Sequence, residues 1–237
     1  MARQLLLNAL ISAPAVPDQE LAGIARSAGR PLPESVQAVA MRYREGWPLP
    51  ELDDPNVLTN WERSHPYLLI IDPGRDTEPM LRRALCGWTA VLGPALPRAE
   101  ATSSLRWART LLAVTPEDNG GEGKLIRALD HLPMLLLLQD VSLVRLLTER
   151  WLHPLAQLTP HRANRITQTM LTWLECSNTS EAARRLGVHP QTIRYRMRQI
   201  ERLFGVSLRD PGNRFELELA LRGMRLLAGV GGDRTVA

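Results

Sequence analysis

Residues 183–197 read ARRLGVHPQTIRYRM, and this stretch decides the fold of the C-terminal third of the chain. Ala183 is small enough to let two helices cross closely, and Gly187 follows where the turn between them needs a positive φ. Pro190 suits the first turn of the second helix. Four apolar residues are expected to fill the gap between the helices: Leu186, Val188, Ile193 and Met197. The pattern predicts a helix-turn-helix.

Helices with apolar stripes are predicted around this turn. The first runs from about Pro160 to Glu175, with Thr159 at its N-cap. Its apolar stripe consists of Ile166, Met170, Trp173 and Leu174. Asn178 is the expected N-cap of the next helix, from Thr179 to Leu186. The helix after the turn, residues 190–203, is expected to bury Ile193, Met197, Ile200 and Phe204.

The positive charge of the chain is concentrated in this region. The whole chain carries 29 basic and 25 acidic residues, a net charge of +4. Residues 161–225 hold 12 Arg and 6 acidic residues, a net charge of +6, so the remaining residues sum to −2. A GC-rich genome also favours Arg over Lys, so the placement of the charge, and not the number of Arg residues, indicates a phosphate-bearing partner.

The exposed side of the second helix has the residue types that read DNA. A recognition helix presents its N-terminal half to base edges in the major groove, where Gln pairs with adenine and Arg with guanine. The sequence therefore predicts a recognition helix over residues 190–203 that lies in the major groove. The candidate DNA-binding residues are Thr179, Ser180, Arg184, Arg185, His189, Gln191, Thr192, Arg194, Tyr195, Arg196 and Arg198.

Other interpretations of this region stay open. An Arg-rich helix face is often only solvated, although a solvated face does not need the small residue, the turn glycine and the apolar plug as well. A helix-turn-helix that contacts only protein is a second alternative. For the whole chain, the alternative is a signalling or enzymatic α/β protein whose basic helical domain serves protein docking.

The region before residue 117 has mixed strand and helix character. Two strands and two helices alternate there, at Tyr67–Ile71, Thr77–Trp88, Thr89–Pro94 and Ala99–Leu111. This order predicts an α/β or α+β domain over residues 33–116. Residues 117–123 form an acidic, glycine-rich break, and everything from Leu125 onward is predicted to be helical.

The N-terminal segment is apolar but lacks the charged region and the length of a secretion signal. We expect a short helix there that docks on another subunit or domain, followed by a helix from about Asp18 to Ala28. The predicted fold class is α+β, an N-terminal α/β domain before an all-α domain. The predicted divisions are 1–32 (helical segment), 33–116 (α+β domain), 117–158 (linker and connecting helices), 159–228 (helix-turn-helix domain) and 229–237 (flexible tail).

No catalytic, metal or cofactor site is predicted. The five His residues are scattered, and the two cysteines, Cys86 and Cys176, form neither a disulfide framework nor a metal knuckle. Cys86 is expected in the core and Cys176 at the surface. Asp72 follows a strand, but Pro73-Gly74 behind it favours a turn cap over a catalytic carboxylate. The longest apolar run, Leu132–Leu138, is too short to span a bilayer.

The C-terminal motifs resemble the DNA-binding domain of PucR/CdaR-type bacterial transcriptional regulators, whose helix-turn-helix is similar to the Fis type. The resemblance rests on Trp173-Leu174, residues 182–196, Phe204-Gly205, Asp210-Pro211 and residues 214–221. In that family a degenerate GGDEF-like domain often precedes the DNA-binding domain. Residues 33–116 are similar to such a domain, most clearly at Val91–Pro94 and Ala99–Ala113, and contain no GGDEF signature.

The resemblance implies a cytoplasmic, nucleoid-associated regulator of transcription that is not an enzyme and needs no cofactor. Its implied partner is double-stranded promoter or operator DNA, bound as a homodimer or higher oligomer. Whether an unknown small-molecule effector binds is left open, and no membrane partner is implied.

Overall fold

The computed structural model describes residues 1–62, 64–116, 123–176, 178–205 and 210–231. The chain divides into two compact units, Met1–Leu135 and Leu136–Ala237. Most of the predicted glycine-rich break, residues 117–122, and residues 232–237 of the predicted tail lie outside the described residues. Each unit is described here by itself.

The N-terminal unit is built on a five-stranded sheet. Its strands are β1 (Ser35–Met41), β2 (Val57–Asn60), β3 (Tyr67–Ile71), β4 (Thr89–Pro97) and β5 (Lys124–Arg127). They lie in the order β2-β3-β1-β4-β5, and every neighbouring pair is antiparallel except β4 and β5. The first four strands follow the order of a split βαβ motif, but residues 42–56, between β1 and β2, contain no helix.

Helices cover the sheet because their apolar stripes need a partner surface. They are α1 (Ala2–Leu10), α2 (Asp18–Ser27), α3 (Thr77–Ala84), α4 (Ala101–Val114) and α5 (Leu132–Leu137). Leu6, Leu7 and Leu10 of α1 are buried together with α2, Val36 of β1 and Leu69 of β3. The apolar N-terminal helix therefore docks on the sheet of its own unit.

Two of the predicted helices are wrong in this unit. Lys124–Arg127 is a strand, not a helix, because Leu125 pairs with Ala90 and Ile126 with Val91 in a parallel ladder. The helix predicted to reach Trp88 ends at Ala84. Gly87, at φ 82°, turns the chain there, so that Trp88 enters the core as the residue before β4.

The C-terminal unit is helical. Its helices are α6 (Val141–Ala156), α7 (Pro160–Glu175), α8 (Thr179–Arg185), α9 (Pro190–Phe204) and α10 (Pro211–Gly231). One core joins four of them, through Leu152 and Leu155 of α6, Met170 of α7, Ile200 of α9 and Leu221 of α10. The predicted helices at residues 160–175 and 190–203 are confirmed almost to the residue.

The cysteines reverse the sequence expectation, since Cys86 is exposed and Cys176 is buried. Cys176 packs with Ala182, Ala183 and Ile193 in a second small core. Within the described ranges, no single helix is long and apolar enough to cross a bilayer. Residues 128–137 and 141–156 meet that length and composition only as a pair bent by 68°.

Candidate nucleic-acid interface

The turn between α8 and α9 is a Schellman motif centred on Gly187. The Val188 N–H donates to the Ala183 carbonyl at 3.0 Å, and the Gly187 N–H donates to the Arg184 carbonyl at 3.3 Å. These are the two bonds that define the motif, which needs a left-handed residue between them. Gly187 supplies it with φ at 63°. The predicted position of the turn glycine is confirmed.

Local caps fix where both helices of the motif begin. The Asn178 side chain accepts from the Glu181 N–H at 2.9 Å and caps α8, as predicted. His189 caps α9, because its Nδ1 accepts from the Gln191 N–H at 3.2 Å. Pro190 takes the first position of α9, where its missing N–H costs nothing. The recognition helix therefore starts at a defined residue.

The gap between the helices is filled as the sequence predicts. Ala183 and Ile193 are buried, and Leu186, Val188 and Met197 pack around them, half-buried. Ile193 and Ile200 are at most 1% exposed and turn one side of α9 into the domain. The opposite side of α9 is therefore left to solvent.

The solvent side of α9 carries five of the eleven predicted contact residues. Gln191, Arg194 and Arg198 are exposed, Tyr195 is 54% exposed, and Thr192 is half-buried. An Arg194 Nη1 donates to the Gln191 Oε1 at 3.4 Å. These contacts connect neighbouring residues of one surface.

A residue that sequence reasoning missed orients the tyrosine. Gln199 lies one helical turn after Tyr195, and its Nε2 donates to the Tyr195 hydroxyl at 2.8 Å. The spacing of four residues along a helix is the signal that would have found it.

The arginines predicted as one group have different surroundings. Arg185 forms ion pairs with Glu181 at 2.8 Å and Glu175 at 3.9 Å. Arg196 is half-buried, and its Nη1 donates to the Thr169 hydroxyl of α7 at 3.3 Å. Arg184 is exposed and forms no ion pair with the described residues. Arg185 and Arg196 thus have acceptors on α7 or α8 within the domain.

A cavity of about 280 Å³ opens beside α9. We call it the cationic notch and define it by its lining residues, Trp173, Thr179, Arg194, Met197, Arg198 and Glu201. Thr179, half-buried, and Ser180, exposed, are the first two residues of α8. Sequence reasoning did not include Glu201, although it follows Arg198 by three residues and so shares its side of the helix.

The titratable side chains outside the interface do not gather into a metal centre in the described residues. No three His, Cys, Asp or Glu side chains gather there as metal ligands. The Asp72 carboxylate accepts from the backbone N–H groups of Glu34 and Ser35 at 2.9 and 2.8 Å. Asp72 is thus a cap at the start of β1.

The geometry of α7 to α9 defines a helix-turn-helix domain with one basic exposed face. Residues 166–223 match the family model of the PucR C-terminal helix-turn-helix domain. The chain therefore carries a PucR-type helix-turn-helix domain, as the sequence motifs predict.

Several relatives are similar to this chain over different lengths. The purine catabolism regulatory protein of Bacillus subtilis is 42% identical over 64 residues, which is 27% of this chain and 12% of that protein. Uncharacterized proteins of Mycobacterium tuberculosis and Mycobacterium bovis are 29% identical over 150 residues, 61% of this chain and 35% of theirs. The matched segments are thus about an eighth of the Bacillus protein and about a third of the mycobacterial ones.

One solved structure is also similar. It is a regulator of polyketide synthase expression from Bifidobacterium adolescentis, with 20% identity and a TM-score of 0.41 over 98% of this chain and 99% of that one.

Proposed function

We propose that the protein is a sequence-specific DNA-binding regulator of transcription, with α9 as the recognition helix in the major groove. The observation that carries the proposal is the two-sided α9. Ile193 and Ile200 fix one side in the domain core, while Gln191, Tyr195 and Arg198 stand in solvent on the other. A helix held in this way can enter a groove without losing its packing.

The charge of the domain supports a nucleic-acid partner. Residues 161–225 carry a net charge of +6, and neutralised phosphates supply most of the affinity in protein–DNA binding. Of the candidate arginines, Arg184, Arg185, Arg194 and Arg198 are exposed. Arg185 is paired with two carboxylates and Arg196 is half-buried against α7, so we assign both to support of the motif.

Sequence reading is assigned to the start of α9. Gln191 is the second residue of the helix and is exposed, which is the position from which a side chain reaches base edges. A Gln amide pairs with adenine through its N7 and N6 atoms. Thr192 and Tyr195 lie next to it and complete the surface.

The N-terminal unit is assigned to dimerisation or to a response to a ligand, without enzymatic activity. Its mixed sheet with covering helices fits a GGDEF-like domain, which the missing GGDEF signature makes a degenerate one. Helix-turn-helix proteins commonly bind two half-sites as dimers, so we propose a homodimer or higher oligomer on promoter DNA in the cytoplasm.

Selection of bound fragments from randomised and genomic DNA tests this function. We expect one recurring, two-fold symmetric sequence to be enriched by the wild-type protein. The matched control is Gly187→Pro, which forbids the positive φ of the turn and should enrich nothing. Equal binding of all fragments would contradict sequence specificity, and no binding at salt near 100 mM would instead favour a basic domain that docks to protein.

A further inference from the structure

We infer that the cationic notch holds one phosphodiester group of the DNA backbone, so that Arg194 contacts the backbone and does not read a base. The inference rests on the proposed function and specifies which atoms of the DNA the notch takes. It also reverses the simplest expectation from the sequence, in which an exposed Arg early in a recognition helix pairs with guanine.

The lining of the notch suits an anion. Arg194 and Arg198 are one helical turn apart on α9, and Thr179, which carries a hydroxyl group, faces them from the start of α8. Of the three side-chain nitrogens of Arg198, only Nε donates a hydrogen bond to the described residues, to the Arg194 carbonyl at 3.5 Å. Within the described part of the chain, both terminal nitrogens of Arg198 therefore stay available for a ligand.

The shape of the notch separates a phosphate from a base. The notch is a recess lined by three helices, with Trp173 of α7 and Met197 of α9 as its apolar lining. A phosphate projects from the duplex and can enter such a recess. A base edge lies on the floor of the groove and is reached by side chains that project from the protein. Gln191 and Tyr195, which are exposed and do not line the notch, are the projecting side chains.

The charge of the notch fits a monoanion. Two guanidinium groups and the Glu201 carboxylate give its lining a formal charge of about +1. A phosphodiester carries one negative charge. A free phosphate or a phosphomonoester carries nearly two at neutral pH and would meet the Glu201 carboxylate. The acidic residue thus favours the backbone linkage over free phosphate.

The first test compares salt dependence with sequence preference. Arg194→Ala should weaken binding to operator and to unrelated DNA by the same factor, and reduce the salt slope by about 1. Over a fourfold rise in salt, the variant should then lose roughly three- to fourfold less affinity than the wild type does. Arg194→Lys keeps the charge and should keep the slope, and circular dichroism confirms folding of both.

The second test uses operators with a single uncharged methylphosphonate in place of each phosphate in turn. At one position the neutral linkage should weaken wild-type binding but leave the binding of Arg194→Ala unchanged. If the methylphosphonate and Arg194→Ala weaken DNA binding independently at every position, so that their effects add, the inference is overturned. A change of base preference in Arg194→Ala with an unchanged slope would also overturn it and assign the side chain to a base.

Two further measurements separate the phosphate sources. Glu201→Gln should tighten binding to all DNA sequences, because it removes a negative charge from the notch. Inorganic phosphate, compared with chloride at matched ionic strength, should not displace operator from the wild-type protein. Displacement that is lost in Arg194→Ala would assign the notch to free phosphate and overturn the inference. A wild-type protein that binds no DNA would contradict the proposed function itself. Differences between wild type and variants test only the assignment of the notch.

Discussion

Gly223 of α10 lies directly against Val144 of α6: a methyl group at position 223 would be 2.5 Å from the Val144 Cγ1. The Trp151 Nε1 of α6 also donates to the Glu216 carboxylate of α10 at 2.7 Å. Helix α6 therefore packs closely on the last helix of the domain, although it precedes the family-matched segment 166–223. The helical unit is larger than that segment.

Because the two helices approach so closely, Gly223→Ala should have opposite effects on stability in two backgrounds. Gly223→Ala should lower the free energy of unfolding by about 1 kcal/mol, because overpacking costs about 1–3 kcal/mol and exceeds the gain in helix propensity. In a Val144→Ala background the same substitution should stabilise the protein by about 0.5–1 kcal/mol, since the clash is gone. Urea unfolding of the wild type, the two single variants and the double variant measures both effects. The same sign in both backgrounds would show that the two helices do not meet at this point.

Gly187→Val should destabilise the helix-turn-helix by about 1–3 kcal/mol through backbone strain alone. Apart from its two chain neighbours, no atom of the described residues lies within 4 Å of the position that its Cβ would take, so a clash at the Cβ does not contribute. The control is Gly23→Ala in α2, which is equally open but has no positive φ and should stabilise by about 0.5–1 kcal/mol. Thermal unfolding compares the two. A Gly187→Val protein as stable as the wild type would mean that this turn is not left-handed.

Acid should weaken the contact between α2 and Arg98, the residue that follows β4. The Arg98 guanidinium donates to the Asp18 carboxylate at 2.7 Å and lowers the pKa of Asp18 below its ordinary 3.8. A lowered pKa in the folded state adds stability above the unfolded pKa, and this stability is lost as pH falls through the folded pKa. Asp18→Asn should therefore show a flatter stability profile than the wild type between about pH 6 and about pH 2. Arg98→Gln should match it. Parallel profiles for all three proteins would exclude the ion pair as a source of stability.

Gln191→Ala should change which DNA is bound more than how tightly DNA is bound. If Gln191 pairs with adenine, the variant should lose about 1–3 kcal/mol of discrimination at one base pair and keep the wild-type salt slope. Binding to a panel of singly substituted operators measures this preference. The matched control is Arg184→Ala, whose exposed charge should affect all sequences alike. A panel that ranks identically for Gln191→Ala and wild type would remove Gln191 from base reading.

The helix-turn-helix was predictable because its signals are local. Asn178, Gly187 and Pro190 each fix the backbone within a few residues. The apolar residues that fill the gap between the two helices are recognisable from their spacing. The notch was not predictable in the same way, because Thr179 and Glu201 come to line one cavity only once α8 and α9 are packed.

The sheet was harder to predict because its strands depend on distant partners. Lys124–Arg127 is a strand only through its pairing with Thr89–Leu92, and four residues with two apolar positions show no period that distinguishes strand from helix. Strand β1 was also missed. Its Ser35–Met41 run lies between β3 and β4, and its buried alanines have weak strand propensity of their own.

The dependence of DNA affinity on salt tests the proposed function most directly. Equilibrium binding of the full chain to its selected operator should weaken roughly 10³-fold between about 50 and about 200 mM salt, as expected for about six phosphate contacts. The slope of log affinity against log salt should then be about −5. An affinity that changes less than about threefold over this range, or no binding at the lower salt, would contradict a DNA-binding regulator.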